Sequence, residues 1–82
     1  MFTEKQAREL VYKINSTLEL LGLNPVALDK IIFPQSYVTI IRLCCSRKVA
    51  KLIEALIPFI DTSGKYFEYN YDYNFAINIF DV

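Results

Sequence analysis

Residues 65–80 read Lys-Tyr-Phe-Glu-Tyr-Asn-Tyr-Asp-Tyr-Asn-Phe-Ala-Ile-Asn-Ile-Phe. Phe67, Tyr69, Tyr71, Tyr73, Phe75, Ile77 and Ile79 hold one parity, and Glu68, Asn70, Asp72, Asn74 and Asn78 hold the other. A period of two with one apolar and one polar side is the signature of β-structure buried on one face. The parity never flips along the stretch. A two-residue hairpin loop joins residue i to residue i+3 and would flip it. The stretch is therefore a hairpin with an odd loop, most simply Asn70-Tyr71-Asp72, or one long strand. A strand of about 16 residues would far exceed the usual 5–6. The hairpin is the expectation; the long strand would imply exchange between subunits.

A second β-segment precedes it. Residues 37–45, Tyr-Val-Thr-Ile-Ile-Arg-Leu-Cys-Cys, are β-branched and apolar. Thr39, Ile41, Leu43 and Cys45 form one face, and Val38, Ile40 and Cys44 the other, broken by Arg42. A strand buried on one face alternates more cleanly, so this one is expected to be central, with its second face covered. An exposed apolar face of that size is a liability, which points to a homodimer or another partner over it. Before it, Val26, Leu28, Ile31, Ile32 and Phe33 fit either a short strand or an irregular segment over 26–33. Pro34-Gln35-Ser36 reads as a three-residue turn.

Two helices complete the pattern. Over residues 3–21, Ala7, Leu10, Val11, Ile14, Leu18 and Leu21 recur at three and four residues, one helical face. Thr3 followed by Gln6 makes a capping box, with Phe2 and Ala7 at the staple positions. Gly22 and then Pro25 supply the stop. Ser46 caps a second helix over 47–57, with Val49, Leu52, Ile53 and Leu56 as its stripe and Ala50 and Ile57 widening it. Pro58 ends it, because its ring would clash with the carbonyl of Glu54. Asp61-Thr62-Ser63-Gly64 is a loop by composition.

The order is α-β-β-α-β-β. The expected fold is an α+β two-layer sandwich, a four-stranded antiparallel sheet with both helices on one face. At an offset of 38, Val11, Lys13, Leu18 and Ile41 match Val49, Lys51, Leu56 and Ile79. These are too few identities to claim a duplication, but the αββ pattern occurs twice.

Composition bounds the chemistry. At 82 residues the chain makes one small domain, residues 1–82, and 30 of them are Leu, Ile, Val or Phe, so it should fold. There is no His, which removes Ser-His-Asp and Cys-His catalysis and the commonest metal ligand. The adjacent Cys44 and Cys45 cannot make a zinc set. They point to opposite faces of an extended segment, so a mutual disulfide would be strained. Two reduced, mostly buried cysteines are expected, with an intermolecular disulfide or a redox-sensitive thiol as the sharper alternative. No metal or cofactor is expected. Neither an apolar leader nor a membrane-length run is visible, which, with this cysteine usage, points to an intracellular, reducing compartment. Asn15-Ser16-Thr17 matches a glycosylation pattern but falls inside a predicted helix, so it reads as chance.

Net charge is zero but unevenly spread. Residues 31–60 carry Arg42, Arg47, Lys48 and Lys51 against Glu54; residues 61–82 carry Lys65 against Asp61, Glu68, Asp72 and Asp81. Glu68, Tyr69, Asn70, Tyr71, Asp72 and Tyr73 form an acidic, tyrosine-rich segment suited to a protein interface. Spaced acidic groups among tyrosines imitate a nucleic-acid backbone toward a basic partner. Richness in Ile, Asn, Lys, Tyr and Phe is common in AT-rich genes of phages and mobile elements. The expected function is thus a non-enzymatic protein-binding module. In its specific form it is an inhibitor, with an anti-CRISPR-like role, that sterically blocks a host nucleic-acid-handling or defence protein. One alternative is a small nucleic-acid binder using Arg42, Arg47, Lys48 and Lys51 at the start of helix two. Another is a structural subunit of a homo-oligomer.

Overall fold

The computed structural model describes residues 2–57 and 76–81, and the backbone of 65–70. It is an α+β arrangement of two helices packed on an antiparallel sheet. The elements are α1 (Glu4–Leu20), β1 (Ala27–Gln35), β2 (Val38–Cys44), α2 (Arg47–Leu56), β3 (Lys65–Asn70) and β4 (Ala76–Asp81). The strands lie in the order β1-β2-β4-β3, each antiparallel to its neighbour. β1, β2 and β4 carry the described side chains. The molecule spans 36 × 28 × 18 Å, and its shortest axis suits one layer of helix on one layer of sheet.

α1 begins as its sequence dictates. The Thr3 hydroxyl accepts from the Gln6 N–H at 3.2 Å, and the Gln6 side chain accepts from the Thr3 N–H at 2.9 Å. Phe2 packs against the core beside this cap. At the other end the Leu23 N–H donates to the Leu18 carbonyl at 2.9 Å, and the Gly22 N–H to that of Glu19 at 3.0 Å. This Schellman closure needs a left-handed residue, and Gly22 supplies it at φ 72°. Leu21, expected on the buried face, is the cap residue instead and is exposed. The chain has already turned off the helix axis there.

α2 starts at Ser46, whose hydroxyl accepts from the Val49 N–H at 3.2 Å, and its cap residue is Ile57, just before Pro58. Its buried residues are Val49, Ala50 and Ile53, with Ile57 buried just beyond, while Leu52 and Leu56 are half-buried. The stripe is thus rotated from the expected one toward the Ala50 side.

The segment from Ala27 to Gln35 is one strand, and Pro34 lies inside it rather than in the turn. Register shifts fall between Leu28 and Lys30 and between Ile32 and Gln35. Pro34 has no N–H to offer a ladder, so it is tolerated on an edge strand at such an irregularity. Gln35 pairs with Val38, so the turn is Ser36-Tyr37 and β2 starts at Val38. The same features make β1 a poor template for adding a strand, because bulges and an edge proline interrupt its free hydrogen-bonding side.

In the last hairpin Asn70 pairs with Ala76. The connection therefore has an odd number of residues, as the unbroken parity requires. The expected turn Asn70-Tyr71-Asp72 is displaced, since Asn70 belongs to the ladder and the connection runs over 71–75, outside the described residues.

One cluster forms the core. It joins Ala7, Leu10, Val11, Ile14 and Leu18 of α1, Val49, Ala50 and Ile53 of α2, and Ile41, Leu43, Ile77 and Ile79 of the sheet. Both helices thus cover the same sheet face. Ile41 and Ile79 are register partners at its centre. They are also the pair that the offset of 38 relates. Thr39 is fully buried on that face, and its hydroxyl donates to the Phe2 carbonyl at 2.7 Å, which ties the chain's start to the sheet.

The candidate interaction face

Residues directly opposite in an antiparallel ladder share a face, and successive residues alternate. With Ile41, Leu43, Ile77 and Ile79 under the helices, the intervening positions form the other face. These are Val38, Ile40, Arg42 and Cys44 of β2, and Ala76, Asn78 and Phe80 of β4. Lys30 and Ile32 of β1 join them by register. Val38, Ile40, Arg42, Cys44, Ile32 and Phe80 are half-buried, and neither α1 nor α2 packs over them among the described residues. At the centre the Arg42 Nε donates to the Asn78 Oδ1 at 3.0 Å, across β2 and β4. That bond holds the guanidinium along the sheet, and Asn78 is itself buried. A charged group in an otherwise apolar patch gives the face a polarity and a direction.

The ladder also joins Arg42 to both edges. Lys30 is its partner on β1, and Glu68 on β3 is the partner of Asn78. A single register row thus reads Lys30, Arg42, Asn78, Glu68 across the sheet. On one side of it lies the row Ile32, Ile40, Phe80, Tyr66; on the other, Cys44, Ala76 and Asn70.

The sequence-derived site residues fall out unevenly. Glu68 and Asn70 hold register positions of the helix-free face, whereas Tyr69 is the register partner of the core residue Ile77. Tyr71, Asp72 and Tyr73 lie outside the described residues. Of the basic set, Arg47, Lys48 and Lys51 are exposed along the first turns of α2. Arg42 does not converge with them, because it stands on the sheet face turned away from α2. Lys30, Ile32, Asn78 and Phe80 were not singled out in the sequence. The signal for them was present: Arg42 and Asn78 are the polar interruptions of two apolar strands, and pairing them in register exposes the row.

Elsewhere the surface offers less. A groove of about 920 Å³ runs along the outer side of α1, lined by residues that include Glu4, Arg8, Glu9, Tyr12 and Lys13. Its charges are solvated, and the Glu4–Arg8 pair at 3.1 Å is an exposed i,i+4 contact that contributes little. Asn15 is engaged structurally: its side chain accepts from the Val26 N–H at 2.8 Å and donates to the Val26 carbonyl at 3.2 Å. That engagement is a physical reason to read the Asn15-Ser16-Thr17 pattern as chance.

Both cysteines are half-buried, and no disulfide joins them. Cys45 packs against the core, while Cys44 holds a register position of the opposite face. Burial, and then the neighbouring Cys44, push the Cys45 thiol from an ordinary 9.0 up to about 11. The folded protein thus holds the neutral thiol where an unfolded chain would ionise it. The associated stability is complete below about pH 9 and is lost as pH rises toward 11. Cys45 is expected to alkylate slowly at neutral pH and to gain rate up to about pH 11. Mass spectrometry after timed iodoacetamide treatment checks this; a rate that levels off by pH 9 would contradict it.

No helix among the described residues is long and apolar enough to cross a membrane. No protein-family model, curated protein or solved structure matches the chain.

Proposed function

We propose that the chain is a non-enzymatic protein-binding module. Its contact surface is the helix-free face of the sheet, together with the hairpin strand that borders it. The observation that carries this reading is the half-exposed apolar set Ile32, Val38, Ile40, Cys44 and Phe80 around the Arg42–Asn78 bond. Apolar patches rimmed by polar residues suit protein contacts. In its sharper form the module is an inhibitor that occludes a basic, nucleic-acid-handling protein. Glu68 and Asp72 then meet Arg or Lys of that target, which favours steering and specificity.

The competing reading, a nucleic-acid binder, draws on the exposed Arg47, Lys48 and Lys51 of α2. A tagged pull-down from source-cell lysate, with and without nuclease, separates the two. The binding-module reading expects a stoichiometric protein that survives nuclease and is lost with Ile40→Lys. It expects Arg47→Ala with Lys48→Ala to leave capture intact. Co-purified nucleic acid, lost with that double variant and steeply salt-sensitive, would overturn it.

A further inference from the structure

Beside the return loop, α1 carries a cleft that the sheet-face reading leaves unused. It measures about 420 Å³ and is lined, among the described residues, by Tyr12, Asn15, Ser16, Glu19, Leu23 and Pro25. Helical spacing builds it. Ser16 follows Tyr12 by four residues and Glu19 follows Ser16 by three, so the three share one flank of α1. The chain then turns at Gly22, and Leu23 and Pro25 supply the rest of the lining. Its volume lies within the usual range of ligand clefts, about 300–1,000 Å³.

The cleft is built to accept hydrogen bonds from a cation. The Ser16 hydroxyl donates to the Tyr12 carbonyl at 2.9 Å, so its hydrogen is spent inside the chain while its oxygen can still accept. The Asn15 amide is held on both sides by Val26. Glu19 is exposed, and its carboxylate makes no hydrogen bond or ion pair among the described residues. It also stands in the last turn of α1, at the negative end of the helix dipole, and that turn holds no basic residue. Lys5, Arg8 and Lys13 all lie at least six residues before it, and Arg8 is paired with Glu4. Two negative sources thus converge on one cleft with no local cation to offset them. Tyr12, 75% exposed, adds a ring whose face attracts positive charge.

We infer that this cleft takes the side chain of an arginine from a protein partner. The guanidinium meets the Glu19 carboxylate, and the apolar stem lies against Tyr12, Leu23 and Pro25. A guanidinium suits the cleft better than an ammonium does. It is planar, pairs with a carboxylate through two N–H groups and stacks on a ring. The site gives the binding module a second contact, on α1, and agrees with a basic target. It does not depend on the sheet face, so either surface can fail its test alone. One side chain binds weakly by itself, and a dissociation constant of about 5–50 mM is expected for an isolated arginine.

The deciding experiment is an amide NMR titration of the full chain with N-acetyl-arginine amide, at constant ionic strength. N-acetyl-citrulline amide, the uncharged isostere, and N-acetyl-lysine amide are run beside it. Saturable shifts are expected at Tyr12, Ser16, Glu19 and Leu23 with arginine. Citrulline should bind about three- to fivefold more weakly, and lysine should fall between the two. Glu19→Gln should weaken arginine binding about three- to fivefold, whereas Glu9→Gln, an equally exposed acid on the same helix, should leave it unchanged. Thermal melts give a readout that a merely structural Glu19 would not. Glu19→Gln should melt about 1–5 °C higher, because it removes an acid from the negative end of the dipole. Weaker binding in a more stable protein supports the inference. Linear, unsaturated shifts, citrulline binding as well as arginine, or equal losses in Glu9→Gln and Glu19→Gln would overturn it. The binding-module reading would still stand if an Ile40-dependent partner is captured.

Discussion

Ile79→Ala is expected to destabilise the protein by about 3–4 kcal/mol, the largest effect of any single truncation considered. Ile79 is fully buried on β4, with Ile41 as its register partner on β2 and Phe67 as its register partner on β3. It stands where the two αββ units meet under both helices, so neither unit can relax alone to fill the space. The cost combines lost transfer free energy with a cavity that a close-packed interior closes only in part. A domain of this size has roughly 4–12 kcal/mol of total stability, so the loss is a large fraction of it. The melting temperature should fall by about 12–32 °C, using the usual 4–8 °C per kcal/mol. Leu20→Ala is the internal control. Leu20 is 87% exposed, and its truncation should shift stability by less than about 0.5 kcal/mol. Urea unfolding of both variants tests the contrast; similar losses from the two would contradict the assignment of the core.

Asn15→Ala carries the second large effect, and its mechanism is polar. The Asn15 amide meets both backbone groups of Val26, at 2.8 and 3.2 Å, as a neighbouring strand would. It thereby fastens the return loop after Gly22 to the side of α1, just ahead of β1. Val26 is buried, so removing the amide leaves an N–H and a carbonyl without a partner. Each such group costs about 1–3 kcal/mol, and the variant should lose about 2–4 kcal/mol. Asn15→Asp separates the two bonds. It keeps an acceptor for the Val26 N–H but sets a carboxylate against the Val26 carbonyl. Its stability should stay below the native value at pH 7 and recover partly as the carboxyl protonates below about pH 4. A pH-independent loss in Asn15→Asp would contradict the two-bond account.

Local signals in the sequence carried over closely into the structure. The Thr3–Gln6 box, the Gly22 stop and the Ser46 cap are short-range chemistry, decided within a turn of the chain. Parity also proved informative, since the odd connection between Asn70 and Ala76 follows from side chains alone. Signals that depend on neighbours were harder to read. β1 looked broken by Pro34, and only its place at the sheet edge makes the proline acceptable. The α2 stripe turned toward Ala50 and Ile57, because the space between the helix and the sheet decides which apolar residues go in.

The site was legible in halves. Arg42 and Glu68 each stood out, one as a basic interruption and one as an acidic strand residue, but as members of rival readings. Strand order makes them members of one row, with Asn78 between. That order joins β2 to β4 across an intervening helix and strand, and no local pattern in the sequence encodes it. Arg47, Lys48 and Lys51 belong to the opposite side of the molecule for the same reason.

The central claim is that the helix-free sheet face is where this protein makes contact. Methyl NMR of the isoleucine- and valine-labelled chain, titrated with the protein captured from lysate, tests it most directly. Ile32, Val38 and Ile40 are expected to shift or broaden together as that partner is added, while Ile14, Ile53 and Ile77, sealed in the core, stay fixed. Changes confined to the exposed side of α1, with Ile32, Val38 and Ile40 unmoved, would contradict it.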